Sequence, residues 1–466
     1  MAIGSPALAV YSLAITRLNG RWLARQFSYL HFPNKEHIPL VFSNLQHIPF
    51  RIDASGPLLP SLIVLHQNDH YWRVLGLAAK RTRQWSIPVA MNIIWAIIAI
   101  ILTIVDSFMD LDQSAILPGD AGYSIAAAWV YLIPLVAGWL YVGSQPEADY
   151  LRNALDEAER FAYVATAAEP VPATSVTEAT GRSTRAIDPS TKHIDYVNAD
   201  EKSTAPIFNY SRVFIWSQYA EQILKFYEHA AAKADRRRPV RDGTRWMGFD
   251  DSSVLAHDRV GTEAEVEQYC MEGPKGPDPG PSVMGPMFAT KVFQRVAFAT
   301  ALALGLQWGT TGVAILIHLM TPPKGFGCRT MTFTIYGTAA TVAFGLLLLS
   351  SLLAHLARRQ SVSEERSGLK TFAGCIAMST RCLGKFIAFM NGVGILVSCI
   401  MQFTGVYDNC FCSSTIFGGN LNGVVSFTDE AVKGSGVHGY WIGGIFAAAV
   451  VSSIYTLVIF VATPMG

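Results

Sequence analysis

Three groups of residues have the types and spacing to do chemistry. His66 and His70 stand four apart around Asp69, a spacing that sets two imidazoles on one helix face, where both can ligate a divalent metal. The pattern lacks the Glu after the first His that a zinc peptidase uses, and no second histidine box follows as a membrane di-iron site needs. A solvated polar face is the preferred reading, and no metal ligand is assigned. The second group is Gly305, Gln307, Trp308, Gly309, Thr310, Thr311 and Gly312, too polar and too rich in small residues for a surface against lipid. Glycines four apart let helix backbones approach, and an amide flanked by hydroxyls either hydrogen-bonds across that contact or lines a path for a neutral solute. Gly439 and Gly443 repeat the spacing. The third group is Cys328, Cys410 and Cys412, of which Cys328 can pair with either of the other two if their loops face an oxidising compartment.

The sequence holds no Gly-rich phosphate loop, Gly-x-Ser-x-Gly elbow or zinc-ligand array. No catalytic residue and no cofactor is therefore expected, and the chain is not read as an enzyme. Asp106, His318 and His355 fall near the ends of apolar stretches, leaving only the neutral Asn92, Gln307 and Asn391 in mid-stretch. Burying a charge in a bilayer is expensive, so this distribution disfavours a proton-coupled carrier or voltage sensor and leaves a neutral-solute pathway open. Arg358 and Arg359 stand upstream of Ser361, as basophilic kinases require. Ser361 is the phosphorylation candidate, where about two negative charges would be added beside a basic cluster.

What positions these residues is a bilayer. The 466 residues are 51% hydrophobic and only 15% charged, with a mean hydropathy of +0.29, which excludes an ordinary soluble enzyme. A formal charge of +1 gives no global field toward nucleic acid. About 20 apolar residues cross the hydrocarbon core as a helix, and six stretches qualify: Ser86 to Asp106, Tyr123 to Val142, Val296 to Leu319, Phe333 to Leu356, Leu383 to Gln402 and Trp441 to Val461. The opening run from Ala2 to Ile15 is too short to span and reads as interfacial. The fold class expected is all-α, a polytopic transmembrane bundle of about six spans with a partly disordered cytoplasmic loop. Its parts are a cytoplasmic N-terminal region with amphipathic helices (1–85), a first transmembrane pair (86–142), a large cytoplasmic loop (143–291) and a four-helix transmembrane region (292–466).

Basic residues fix the orientation. Nine precede the first stretch, eighteen lie between Gly143 and Arg295, and six between Arg358 and Lys385, which by the positive-inside rule puts those segments and both termini in the cytoplasm. The first outer loop then carries Asp110, Asp112 and Asp120 and no basic residue. The sequon Asn209-Tyr210-Ser211 falls on the inner side and is expected to stay unglycosylated. Leu58 to Lys80 reads as one amphipathic helix that either lies on the inner leaflet or packs on other cytoplasmic helices. Ala165 to Pro206, rich in Pro, Ala, Ser, Thr and acid, reads as disordered.

Several strings together resemble a family of fungal multi-pass membrane proteins without assigned activity. They are Ser5 to Trp22 (SPALAVYSLAITRLNGRW), Gln84 to Pro88 (QWSIP) with Val105 to Phe108, Leu132 to Leu140 (LIPLVAGWL), Gly305 to Gly312 (GLQWGTTG), Gly325 to Thr330 (GFGCRT) and Asn409 to Cys412 (NCFC). The resemblance covers nearly the whole chain and implies an integral membrane protein; it carries over no catalytic residue. It also implies that members can hold further spans ahead of the Ser5-Pro6-Ala7 string. The function expected is a structural or accessory component that assembles through helix packing, with a transporter or channel for a small neutral solute as the alternative. Its partners would be the lipid bilayer and a second copy or other membrane proteins.

The topology gives a direct test. A membrane-impermeant thiol label applied from outside is expected to modify Ser114→Cys and not Ser183→Cys, each in a background otherwise unreactive to the label. The reverse pattern inverts the orientation.

Overall fold

The computed structural model describes residues 3–53, 57–81, 124–142, 148–180, 185–192, 194–203, 206–248, 254–271, 290–321, 325–360, 367–404, 406–407, 412 and 437–460, with Ile94, Ile98, Ile101 and Val105. The elements used below are, in chain order, α1 (Pro6–Ser28), α2 (His37–Leu45), β1 (Arg51–Ile52), α3 (Leu58–Val64), α4 (Asp69–Arg81), α5 (Leu132–Val142), α6 (Ala148–Glu159), β2 (Tyr163–Val164), β3 (Val171–Pro172), α7 (Ala173–Thr180), β4 (Ile187–Asp188), α8 (Asn209–Asp235), α9 (Glu263–Cys270), α10 (Thr290–Met320), α11 (Cys328–Gln360), α12 (Ser367–Phe403) and α13 (Val437–Phe460). They divide into two compact units. One takes Met1–Ile15, Trp85–Val142 and Val296–Pro464; the other takes Thr16–Gln84 and Gly143–Arg295.

In the first unit four helices are long and apolar enough to cross a membrane: Lys291–Met320, Cys328–Ala357, Phe372–Gln402 and Gly439–Phe460. Most of the first expected stretch, Ser86 to Asp106, lies outside the described residues. Ile94, Ile98, Ile101 and Val105 are helical and exposed, at the spacing of one helix face. The second stretch is a shorter apolar helix, Ser124–Trp139, interrupted by a turn at Val130 and Tyr131. Pro134 is the cause, because it has no N–H to offer the carbonyl of residue 130 and its ring crowds that carbonyl. α12 begins well before Leu383. Its 37 residues reach roughly 55 Å at 1.5 Å each, so Arg381, more than 20 residues before Gln402, extends past an apolar core about 30 Å thick.

The N-terminal run departs from its interfacial reading. Ala7 to Ile15 lie in the first half of α1 and are 0–1% exposed hydrophobic and small polar residues, grouped with the apolar helices. A helix apolar on every face is stable only when surrounded, and this one is surrounded by protein.

The second unit joins two distant segments on one core, which runs from Leu23 and Phe27 through Trp72 and Leu75 to Trp216, Tyr227 and Val266. The large loop and the N-terminal region are thus one folded body rather than two parts. Leu58 to Lys80 is two helices, α3 and α4, and its apolar face, Leu62, Leu65, Trp72 and Leu75, is buried in that core instead of resting on lipid. Asn68 makes the break: its Nδ2 donates to Ser61 O at 2.7 Å and to Tyr163 O at 3.0 Å, while its Oδ1 accepts from the Tyr163 amide at 2.7 Å. The stretch expected to be disordered is folded where described. β2 pairs with β3 and β4 pairs antiparallel with β1, Ile52 opposite Ile187, because Val164, Ala173, Ala186 and Ile187 find places in the core that composition alone does not reveal.

Polar side chains lock this body. Arg259 donates to both carboxylate oxygens of Asp69, at 2.7 and 2.9 Å, and to the carbonyls of Val64 and Leu65. Arg212 donates to the carbonyls of Glu201 and His47. His47 is buried beside it, and burial, with the Arg212 charge second, drops its pKa to about 3. Asn209 is 4% exposed and donates to Thr16 Oγ1 at 2.8 Å, so the sequon is shut to a glycosyltransferase whichever side it faces.

Glu159 supplies a pH test. Burial raises its carboxyl to about 7 against the pull of Arg185, with Asp156 and Asp188 adding to the rise. A folded-state pKa above the unfolded value of about 4.5 means the native body binds the extra proton, so stability falls as pH rises from about 4.5 to about 7. Glu159→Gln is expected to remove that slope and to gain on the wild type above pH 7, read as the difference between their denaturant midpoints; His47 contributes the opposite slope to both and cancels.

Candidate functional site

α1 starts inside the first unit, so its amino-terminal backbone groups must find partners there. An α-helix leaves its first N–H groups without intrahelical acceptors. Three positions are accounted for here. Pro6 at the first helical position has no N–H to lose. The Ala7 amide donates to Gln307 Oε1 at 3.1 Å, and the Leu8 amide turns back to Ser5 O at 3.1 Å. The carbonyls just upstream are met as well: Tyr336 donates its hydroxyl to Ile3 O at 2.7 Å, and Asn391 Nδ2 donates to Gly4 O at 2.8 Å and Tyr336 O at 3.0 Å. Ser5 donates its hydroxyl to Ala340 O at 3.1 Å.

Gln307 is the centre of this arrangement. It is 0% exposed, and besides accepting from Ala7 its Nε2 donates to Gly337 O at 3.0 Å and to Thr341 Oγ1 at 2.8 Å. Both donors of the amide are used. α10 is thereby tied to α1 on one side and α11 on the other, and Trp308 Nε1 adds a second bond to Thr341 Oγ1 at 3.1 Å. Farther along α1, Tyr455 of α13 donates to Val10 O at 3.1 Å and Tyr11 packs on Phe344 with ring centroids 5.4 Å apart.

The glycines divide sharply. A Cβ at Gly309 would sit 2.5 Å from Val451 Cγ1, and one at Gly444 would sit 2.8 Å from Ile317 and 3.3 Å from Val313. Residues 309 to 317 meet 451 to 444 in reverse order, an antiparallel contact of α10 with α13. Gly305, Gly312, Gly439 and Gly443 meet nothing within 4 Å among the described residues. Of the glycines that the spacing picks out, Gly309 packs against a neighbouring helix and the other four touch no described residue, since a helix crossing brings only the residues near the crossing into touch. Gly444, one residue past the expected Gly443, is the one that packs. Val313 is buried with Ile317, Trp441 and Ala448. Thr310 spends its hydroxyl within its own helix, on Leu306 O and Gln307 O.

The closest approach is one the sequence does not announce. A Cβ at Gly4 would lie 1.7 Å from the Ala388 carbonyl oxygen, so the N-terminal segment rests directly on the backbone of α12. Gly392, whose own Cβ would come 3.4 Å from Gly4 N, completes the seat. Asn391, Tyr336 and Gly4 are the functional residues missed at the sequence level, and the one available signal was Asn391, a neutral polar residue in mid-stretch.

Cys328 and Cys412 form a disulfide with Cα atoms 4.9 Å apart. Cys410 and Ser361 lie outside the described residues. His66 sits in the short turn ahead of α4 while His70 is within α4, its ring edge-on to Phe161 at 4.4 Å, so the two do not share a helix face. Among the described residues no group of three His, Cys, Asp or Glu converges as a metal site.

Gly4→Ala is expected to abolish the folded protein in detergent, because the added carbon meets backbone that cannot give. Gly305→Ala, facing open space, should leave the melting temperature unchanged. Gln307→Leu strands the Ala7 amide and is expected to cost about 1–3 kcal/mol, whereas Gly309→Ala should be rescued in part by Val451→Ala in the same chain. Thermal melting of these variants checks all four. No family model, curated protein or solved structure matches the chain, and the geometry is what carries the reading of the site.

Proposed function

We propose that the chain is a multi-pass membrane protein of the fungal type that its motifs resemble, acting as a structural or accessory component that assembles with itself or with other membrane proteins. Six spans, the two beyond the four apolar helices lying at Ser86 to Asp106 and Tyr123 to Val142, put both termini in the cytoplasm and the Cys328–Cys412 bridge on the oxidising side. The observation that carries the reading is the satisfaction of Gln307. A polar residue serving a solute path keeps a free donor or acceptor for the solute; this amide gives all three of its bonds to α1 and α11. Open glycines on exposed helix faces, Gly439 and Gly443 on α13 above all, suit close approach by another helix.

The alternative, a transporter or channel for a small neutral solute, draws on Tyr11 and Thr311, whose buried hydroxyls reach no partner among the described residues. Two measurements separate the readings. Under the assembly reading the protein elutes from mild detergent above its 50.8 kDa monomer mass, Gly443→Leu shifts it toward monomer without lowering its melting temperature, and proteoliposomes pass no more glycerol or urea than empty ones. A monomeric protein whose reconstituted glycerol or urea flux is lost in Thr311→Val overturns assembly in favour of transport.

A further inference from the structure

Arg295 immediately precedes the uninterrupted apolar run of α10, and with Lys291 it supplies the only lysine or arginine in that helix. Its side chain is 8% exposed. The guanidinium lies 4.2 Å from the centre of the Trp22 ring, and Nη2 donates to Ser217 Oγ at 3.3 Å. Nε and Nη1, both shielded from solvent, reach no acceptor among the described residues, and neither does the indole N–H of Trp22. Two other buried arginines of the same body show a fuller set of partners: Arg259 holds a carboxylate and two carbonyls, and Arg212 holds the carbonyls of Glu201, His47 and Gln46. No ion pair joins Arg295 to a carboxylate among the described residues.

A guanidinium cannot shed its proton to escape burial, and an unpaired buried charge is costly. The one acid that feels it is Glu221, whose carboxyl burial pushes up and which faces Arg295, Lys225 and Lys291 together. Three cations thus share one carboxylate, and the first turns of α10 add the positive end of a helix dipole. Three buried N–H donors beside surplus positive charge ask for an oxyanion. The forked guanidinium matches phosphate, and the head of an apolar span is where phospholipid phosphates lie, with tryptophan a residue that favours that depth.

We propose that Arg295 and Trp22, with the exposed Lys225 and Lys291 at the rim, bind the phosphate of an anionic phospholipid headgroup. Because the donors are shielded, the half-buried Trp22 ring must swing aside as the phosphate enters. The site rests on the membrane character of α10 and not on the assembly reading, so either can fail without the other.

The test uses the full-length protein in mild detergent, titrated with short-chain phosphatidylserine, with phosphatidylcholine of the same chain length, and with inorganic phosphate, and read by native mass spectrometry and thermal shift. Phosphatidylserine is expected to bind and stabilise the wild type, phosphatidylcholine to do so far less, and Arg295→Gln to weaken phosphatidylserine binding about tenfold or more. Trp22→Phe, which keeps the ring and removes the N–H, should weaken it by less. Lys225→Gln and Lys291→Gln, both at exposed positions, keep the test decisive if Arg295→Gln does not fold, each lowering affinity about fivefold. Equal binding by the wild type and Arg295→Gln, or by the wild type and both lysine variants, overturns the site. Inorganic phosphate binding as well as phosphatidylserine, and lost in Arg295→Gln, overturns the lipid as its source.

Discussion

A helix that begins where water is absent must have its first amides answered by protein, and this constraint organises the apolar unit. In a hydrocarbon medium each unpaired backbone group costs several kcal/mol. α1 meets the demand with a proline at its first position, a Ser5 carbonyl for Leu8 and the Gln307 amide for Ala7. The carbonyls of Ile3 and Gly4 recruit Tyr336 and Asn391. Three different helices, α10, α11 and α12, thus present their mid-length polar side chains to one short stretch of backbone. Those side chains are scattered through 85 residues of sequence and acquire a common purpose only because α1 starts among them.

The same constraint explains why small residues cluster where they do. Gly4 and Gly392 allow backbone to rest on backbone, which sets the depth at which α1 sits and so the register of every polar contact around it. Gly309 and Gly444 do the corresponding work between α10 and α13, and Gly384 between α12 and α11, against Leu347. Gly305, Gly312, Gly345, Gly394, Gly439 and Gly443 meet no described neighbour within 4 Å, and their cost to helix propensity, about 1 kcal/mol each relative to alanine, is not repaid by contacts among the described residues.

In the other unit, buried charge takes the place of buried backbone. Asp69 and Arg259 come from segments 190 residues apart in sequence, and Arg212 reaches 165 residues back to His47. The Arg259 side chain is 3% exposed and that of Asp69 38%, so removing Asp69 leaves the arginine charged and shielded from water, which is more damaging than the pair's net contribution to stability. Arg295 differs in holding only a ring and one hydroxyl, and that contrast with its neighbours gives it meaning.

Composition and apolar run length determined the membrane class and the four long apolar helices, because the bilayer imposes a length that single-sequence hydropathy reads directly. Two limits of the compact units, near residues 85 and 142, fall where the sequence changes between apolar and charged. The importance of Gln307 was legible too, as a polar residue too deep in an apolar run to face lipid. Its partners were not, since hydrogen bonding across helices depends on rotation and depth that no local pattern encodes. Which glycines touch and how Thr16–Gln84 closes on Gly143–Arg295 were decided by tertiary structure alone. The burial of Ala7 to Ile15 belongs with these: nine residues are too few to span a bilayer, and only the surroundings made by the other helices turn that run from a surface segment into a core.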